Sequence, residues 1–193
     1  MEHTSLDIVA PGLIDRTWSE AEVLGGAVWL WLHSPSHRNF PLHALNALLM
    51  PAIKHRQFVL ASEAGRPVFY LSWANLSADA ERRYLRQHPV NMPEEDWSSG
   101  ERMWILDFVA PFGHARAMTR LLQRRLFASR VMRTLYHRGE ERGLRVKTFQ
   151  GIAVLPEEAR LWFAAHPVQC PPDSVARNQD PVPAHEHIER KPA

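Results

Sequence analysis

Apolar residues along this chain recur with two periods, near 3.6 and near 2, and the switches between them mark out its elements. Ser19-Glu20-Ala21-Glu22 sets a serine three positions ahead of a glutamate, a capping box. Val23, Leu24, Ala27, Val28, Leu30 and Trp31 then follow at three- and four-residue intervals. This predicts a helix running to about His33, stopped by Ser34-Pro35-Ser36. Asn39 as N-cap ahead of Pro41, followed by Leu42, Leu45, Leu48 and Leu49, predicts a second helix to about Ile53. Residues 57–62 and 67–76 read as strands joined through Glu63-Ala64-Gly65-Arg66, a hairpin. Residues 77–87 read as a polar helix with a serine cap, ended by Pro89 and Pro93.

Residues 103–110 are apolar on both faces, as expected of a central strand covered on two sides. Asp107 interrupts that run, alternating with Ile105 and Val109 on one face. After Pro111-Phe112-Gly113, Leu121, Leu122, Leu126 and Phe127 form the apolar side of a helix that carries Arg116, Arg120 and Arg124 at four-residue spacing. A strand over 144–150 and a short helix over 156–165 complete the pattern. Helices mixed with a hairpin predict an α+β fold of mixed α/β layers rather than an alternating parallel one.

Length and composition refine this picture. At 193 residues, 45% apolar and 23% charged, the chain suits one globular domain, expected over 18–166, and excludes collagen-like, coiled-coil and wholly disordered readings. Residues 1–17 are expected to be flexible. Residues 167–193, with six prolines and no aromatic residue, are expected to form a disordered tail. His185 and His187 in that tail read as solvated imidazoles, and no metal site is expected. The longest apolar run, 23–32, falls short of the roughly 18 to 20 residues that span a bilayer. No basic region precedes an apolar stretch at the start, so no secretory signal is visible and a cytoplasmic location is expected. The single cysteine, Cys170, excludes an intramolecular disulfide and fits a reducing compartment. Formal charge is only +2, yet ten Arg or Lys residues lie between Arg116 and Lys147 against Glu140 and Glu141 alone. That density suits an acidic partner, a phosphate or a nucleic acid.

The chemistry centres on two residues. A carboxylate at Asp107, half enclosed in a strand, needs a partner to offset its desolvation, either an arginine in a structural ion pair or a histidine in proton transfer. His37 lies in the turn after the first helix, behind the Trp29 and Trp31 cluster, where a side chain projects from a rigid support. No nucleophile elbow, Walker loop, dinucleotide fingerprint or metal-binding His-Glu-x-x-His helix is present, which leaves a base-plus-carboxylate site without metal.

Residues 29–41, Trp-Leu-Trp-Leu-His-Ser-Pro-Ser-His-Arg-Asn-Phe-Pro, resemble the Trp-Leu-Trp-x-x-Ser-Pro-x-His-Arg-x-Trp-Pro signature of the RTX toxin-activating lysine acyltransferases. The similarity continues through Pro51-Ala52-Ile53, Tyr70-Leu71-Ser72-Trp73-Ala74, Asp96-Trp97-Ser98-Ser99-Gly100-Glu101-Arg102 and the run from Trp104 to Gly113. The resemblance implies a GNAT-like acyltransferase fold with a central, largely antiparallel sheet flanked by helices. It implies a cytoplasmic enzyme, dimeric as its relatives are. Such an enzyme moves a fatty acyl chain from acyl carrier protein, where it is held as a 4'-phosphopantetheine thioester, to internal lysines of an RTX-type protoxin. No other cofactor and no membrane span are implied. The family's essential histidine falls on His37 and its essential aspartate on Asp107, while Ser34 matches a residue suited to local hydrogen bonding or helix-end capping rather than attack. One position departs: the family asparagine eleven residues after the histidine is Leu48 here, and Asn46 would face another way on a helix.

Two routes are open to such a pair. His37 held by Asp107 deprotonates the attacking lysine, or His37 takes the acyl group first. The helix start after Gly113 offers N–H groups to the donor's phosphate, and Arg116, Arg120 and Arg124 suit the acidic surface of the carrier. No pyrophosphate loop of the GNAT kind is visible, which weakens coenzyme A as donor. The competing classes are a catalytically degenerate relative that only binds protein, favoured by Leu48, and a basic nucleic-acid-binding domain. The latter is disfavoured because Phe127 and Tyr136 are the only aromatic residues in the basic stretch.

Overall fold

The structure is a computed structural model that describes residues 6–87, 89–136 and 145–169. Cys170, His185 and His187 lie outside the described residues, as does nearly all of the segment expected to be a tail. Six strands form one sheet in chain order: β1 (Leu6–Val9), β2 (Phe58–Glu63), β3 (Arg66–Leu76), β4 (Arg102–Val109), β5 (Val131–Tyr136) and β6 (Arg145–Gln150). Every neighbouring pair is antiparallel except β4 and β5, which run parallel. With helices on its faces, this sheet is the mixed, mostly antiparallel architecture expected of an α+β, GNAT-like domain.

Local chemistry sets each element. Ser19 caps α1 (Glu20–Leu32) by accepting from Glu22 N at 3.4 Å, and Ser77 caps α4 (Ala78–Arg86) by accepting from Ala80 N at 3.1 Å. The β2–β3 hairpin is tighter than expected. Ala64 and Gly65 turn it alone at φ 48° and 78°, the left-handed pair that matches the twist of the strands. The second expected helix is two short ones, α2 (Ala44–Leu48) and α3 (Met50–Lys54), and Asn39 does not cap it. Pro51 explains the break: it has no N–H for the carbonyl of Ala47, and its ring crowds that carbonyl.

Two strands escaped the sequence reading. Leu6–Val9, placed in a flexible segment, form β1 because four edge residues gain a complete partner in β2. Residues 131–136 were read only as part of a basic stretch, yet they form β5 with Arg133 buried at its centre. The start of the expected tail is also bound. Pro167 O accepts from Arg102 at 3.0 Å, and Gln169 N donates to Glu81 at 3.3 Å. The helix after Gly113 is α5 (Ala115–Leu121), followed by one π turn over Leu122–Leu126, and α6 (Pro156–Ala165) closes the described chain. The wider π turn takes Arg124 off the line of Arg116 and Arg120, although all three are exposed.

The core lies on both faces of the sheet. Val23, Ala27, Leu30 and Trp31 of α1 pack with Ile53, Phe58, Tyr70 and Val109, while Met118 and Leu122 pack on the other face with Leu71, Trp73, Met103 and Ile105. Register explains how the site arises between them. Ser72 pairs with Asp107 but Trp73 pairs with Ile105, so Leu106 is an extra residue on β4, a bulge. The bulge corrects the expected alternation: Asp107 and Val109 face α1, and Ile105 faces α5. Beyond Ile105, β4 and β5 also part, since only Trp104–Arg133 and Ile105–Thr134 are in register.

Candidate active site

The C-terminal end of α1 and the bulge in β4 deliver the two expected residues to one point. The turn is held by backbone bonds from His37 N and Arg38 N to Ser34 O, at 3.0 and 2.9 Å, and it aims the His37 ring at β4. His37 Nε2 lies 3.0 Å from Asp107 Oδ1, with the two side chains 17% and 14% exposed. Asp107 is oriented from two further sides. Trp31 Nε1 donates to Oδ2 at 2.8 Å, and the backbone N–H of Phe108 donates to Oδ1 at 3.0 Å. The Trp31 ring stacks on the imidazole at 5.2 Å between centroids, and Phe40 packs edge-on against both rings.

These contacts fix which imidazole nitrogen carries the reactive lone pair. An ionised Asp107 only accepts, so Nε2 bears the proton that it donates, and Nδ1 of the neutral ring is the free base. Ser34 donates its hydroxyl to Nδ1 at 2.7 Å, and Ser36 Oγ stands 3.2 Å from the same nitrogen. Nδ1 has one lone pair, so an incoming group must take the place of the Ser34 hydroxyl hydrogen bond. Since Ser34 is buried and Ser36 exposed, the approach to Nδ1 is from the Ser36 side. Behind Asp107, Tyr70 is fully buried. Burial, reinforced by the Asp107 charge and partly offset by Ser72, pushes its phenol far above the usual range, so it stays neutral. Neither Tyr70 Oη nor Ser72 Oγ has a hydrogen-bond partner of ordinary geometry among the described residues.

The pair stands between two cavities that share His37, Leu106 and Asp107 as wall. The smaller, about 220 Å3, is lined by Trp31, Phe40, Leu48, Tyr84, Met92 and Trp97, with Ser72 at the Asp107 end. The larger, about 670 Å3, occupies the gap where β4 and β5 part, and Ser36, Thr119, Gln123 and Thr134 add polar groups to its otherwise apolar wall. Thus the structure brings together His37, Asp107 and Ser34. It places exposed Gly113, with φ 85°, and exposed Arg116, Arg120 and Arg124 around α5, the helix that lines the larger cavity through Thr119. Leu48 faces the smaller cavity and Asn46 faces solvent, as the helix argument expects.

Trp31, Ser36 and Ser72 were missed as site residues. Trp31 was read as core by its spacing, and its indole does pack there, but a tryptophan at the end of an apolar stripe also carries an N–H that needs a partner. Ser36 was read only as part of a helix stop. Nothing in the sequence pairs Ser72 with Asp107, because that pairing depends on strand register.

Comparison with known proteins gives the chain's family. The chain is 41% identical over 104 residues to protein-lysine myristoyltransferase HlyC of Escherichia coli, covering 54% of this chain and 59% of that protein. It is 37% identical over 130 residues to RTX-I toxin-activating lysine-acyltransferase ApxIC of Actinobacillus pleuropneumoniae, covering 67% and 74%. It is 38% identical over 112 residues to protein-lysine myristoyltransferase RtxC of Kingella kingae, covering 58% and 66%. The chain thus spans about three-fifths of the HlyC relative's length. The pattern of the RTX toxin acyltransferase family matches residues 16–150, a stretch that holds every residue of the His37–Asp107 site, and the chain belongs to that family.

Proposed function

We propose that this protein is a protein-lysine acyltransferase that moves a fatty acyl chain from acyl carrier protein to internal lysines of an RTX-type protoxin. The observation that carries the reading is the His37–Asp107 pair, oriented by Trp31, with its basic Nδ1 turned toward an exposed serine at the junction of two cavities. A lysine ammonium, with an ordinary pKa near ~10.4, is not a nucleophile until it loses a proton. In the reaction proposed, the lysine gives up its ammonium proton to solvent, enters from the exposed Ser36 side, takes the place of the Ser34 hydroxyl hydrogen bond at Nδ1 and attacks the thioester carbonyl. The C–N bond forms as Nδ1 accepts the amine proton, and the imidazolium so formed is stabilised by Asp107. Collapse of the adduct breaks the C–S bond, and the departing pantetheine sulfur takes the proton from Nδ1.

The larger cavity suits the pantetheine arm of the donor. Thr119, Gln123 and Thr134 offer partners for its amides, and the arginines of the adjoining α5 region meet the acidic carrier. Gly113 and the start of α5 are assigned to the prosthetic group's phosphate. The reading includes a cytoplasmic location and a homodimer, and no helix among the described residues is long and apolar enough to cross a membrane. The test is intact mass: the protein is incubated with acyl-loaded carrier and an RTX protoxin, and the protoxin is then weighed and its lysines mapped. The expected result is mass added in whole acyl units, mapped to lysines, only when loaded carrier is present. A protoxin of unchanged mass would refute the reading, and acid-quenched enzyme carrying the acyl group on His37 would replace the direct route with the two-step one.

A further inference from the structure

We propose that the smaller cavity holds the hydrocarbon end of the acyl donor, and that Leu48 and Met92 in its wall set which chain lengths are used. The proposal rests on the acyl-transfer reading above and goes beyond it by dividing the two cavities between the two arms of the donor. A thioester has its reacting carbon in the middle, with the pantetheine on one side and the alkyl chain on the other. A histidine that forms the common wall of two cavities fits such a substrate: the carbonyl sits at His37 and each arm leaves through a different cavity.

The walls decide which arm goes where. The larger cavity has threonine and glutamine side chains along its length and lies beside the exposed arginines of the α5 region. The smaller one is walled by Trp31, Phe40, Leu48, Tyr84, Met92 and Trp97. Trp97 Nε1 and Ser72 Oγ have no accessible surface, so those residues present carbon to the space. Away from the shared His37–Asp107 wall, an alkyl chain meets mostly carbon in the smaller cavity, whereas the larger one adds the threonine and glutamine groups that the amides of pantetheine can bond. At the roughly 30 Å3 that one water-sized group fills, 220 Å3 takes about seven methylenes. Longer chains leave past Phe40, which is 44% exposed, and over Leu42, which is 81% exposed. Leu48, which replaces the asparagine that the resemblance implies at this position, keeps this wall apolar.

The test combines a binding readout with a kinetic one. A pantetheine thioether carrying a fatty chain with a terminal photoreactive diazirine is irradiated with the full-length protein, and the labelled residues are mapped by mass. Label on Leu48, Phe40, Leu42, Met92 or Trp97 is expected. Label concentrated on Thr119, Leu122, Met132 or Phe149, or no site-selective label, would overturn the proposal. Separately, Leu48→Trp and Met92→Trp are compared with the natural protein across carrier donors loaded with four to fourteen carbons. The expected result is that the ratio of kcat/KM for the longest over the shortest chain falls about tenfold or more in either variant. A ratio unchanged in both folded variants would overturn it too. Because the label is read without turnover, a natural protein that binds the probe but transfers no acyl group would sink the proposed function and leave the cavity assignment standing.

Discussion

Glu81 and Asp107 each accept an indole N–H at 2.8 Å, from Trp104 and Trp31 respectively, and each sits where an unpartnered carboxylate would be costly. Their surroundings then diverge. Glu81 has no exposed surface and holds two guanidiniums, Arg102 at 3.0 Å and Arg133 at 2.8 Å, with Gln169 N donating as well. Arg133 lies among the rings of Trp104, Trp162 and Phe163, and its second nitrogen bonds His166 O. Burial holds that guanidinium below the usual arginine range, with the Glu81 charge acting against the shift. Asp107 instead pairs with the His37 imidazole, whose other nitrogen is reachable from a cavity. A carboxylate locked between two guanidiniums fastens α4, β4, β5 and the C-terminal segment together. One paired with histidine can shift a proton without losing its support.

The division is open to direct attack. His37→Ala should lower the transfer rate by about 10²–10⁴-fold. Its unfolding midpoint should stay close to the natural one, because Asp107 keeps Trp31 Nε1 and Phe108 N as donors. An acylation assay and a thermal melt read the two quantities. Glu81→Ala should do the reverse. It strands two buried guanidiniums and costs about 3–5 kcal/mol of stability, read by urea unfolding, while the folded fraction retains its kcat. A Glu81 variant that kept its midpoint and lost its rate would erase the contrast. Trp31→Phe keeps the stacked ring but removes one donor to Asp107, and a loss of about tenfold in kcat is expected. Ser34→Ala should cost least, about threefold, the worth of one neutral hydrogen bond to a base that remains in place. A Ser34→Ala loss as deep as that of His37→Ala would give Ser34 a covalent role.

Much of this contrast was legible in the sequence, but unevenly. Asp107 stood out because it interrupts an apolar strand, and His37 because it follows a helix stop in a motif of aromatic residues. Glu81 and Arg133 went unnoticed for the opposite reason: one lies in a helix that reads as polar, the other in a basic stretch that reads as surface. A signal for Glu81 was present, since Ala80, Tyr84 and Leu85 bracket it on the buried side of α4. Arg133 offered none, because its cover comes from Trp104, Trp162 and Phe163, residues remote from it in the chain. The bulge at Leu106 was equally hidden, and it moved Ile105 to the face opposite Asp107. Periodicity reports which residues are apolar along one element, whereas register, strand divergence and cavities are set by the pairing of distant elements.

The central claim is that the charge of Asp107 drives transfer through His37. Asp107→Asn tests it most directly, since the amide keeps the shape and one acceptor but loses the charge. In a single-turnover experiment with loaded carrier and protoxin, the account predicts a rate lower by about a hundredfold or more in the folded variant, with the unfolding midpoint lowered because the amide NH2 faces at least one of the N–H groups from which Asp107 accepts. A folded asparagine variant that acylates the protoxin as fast as the natural protein would contradict it.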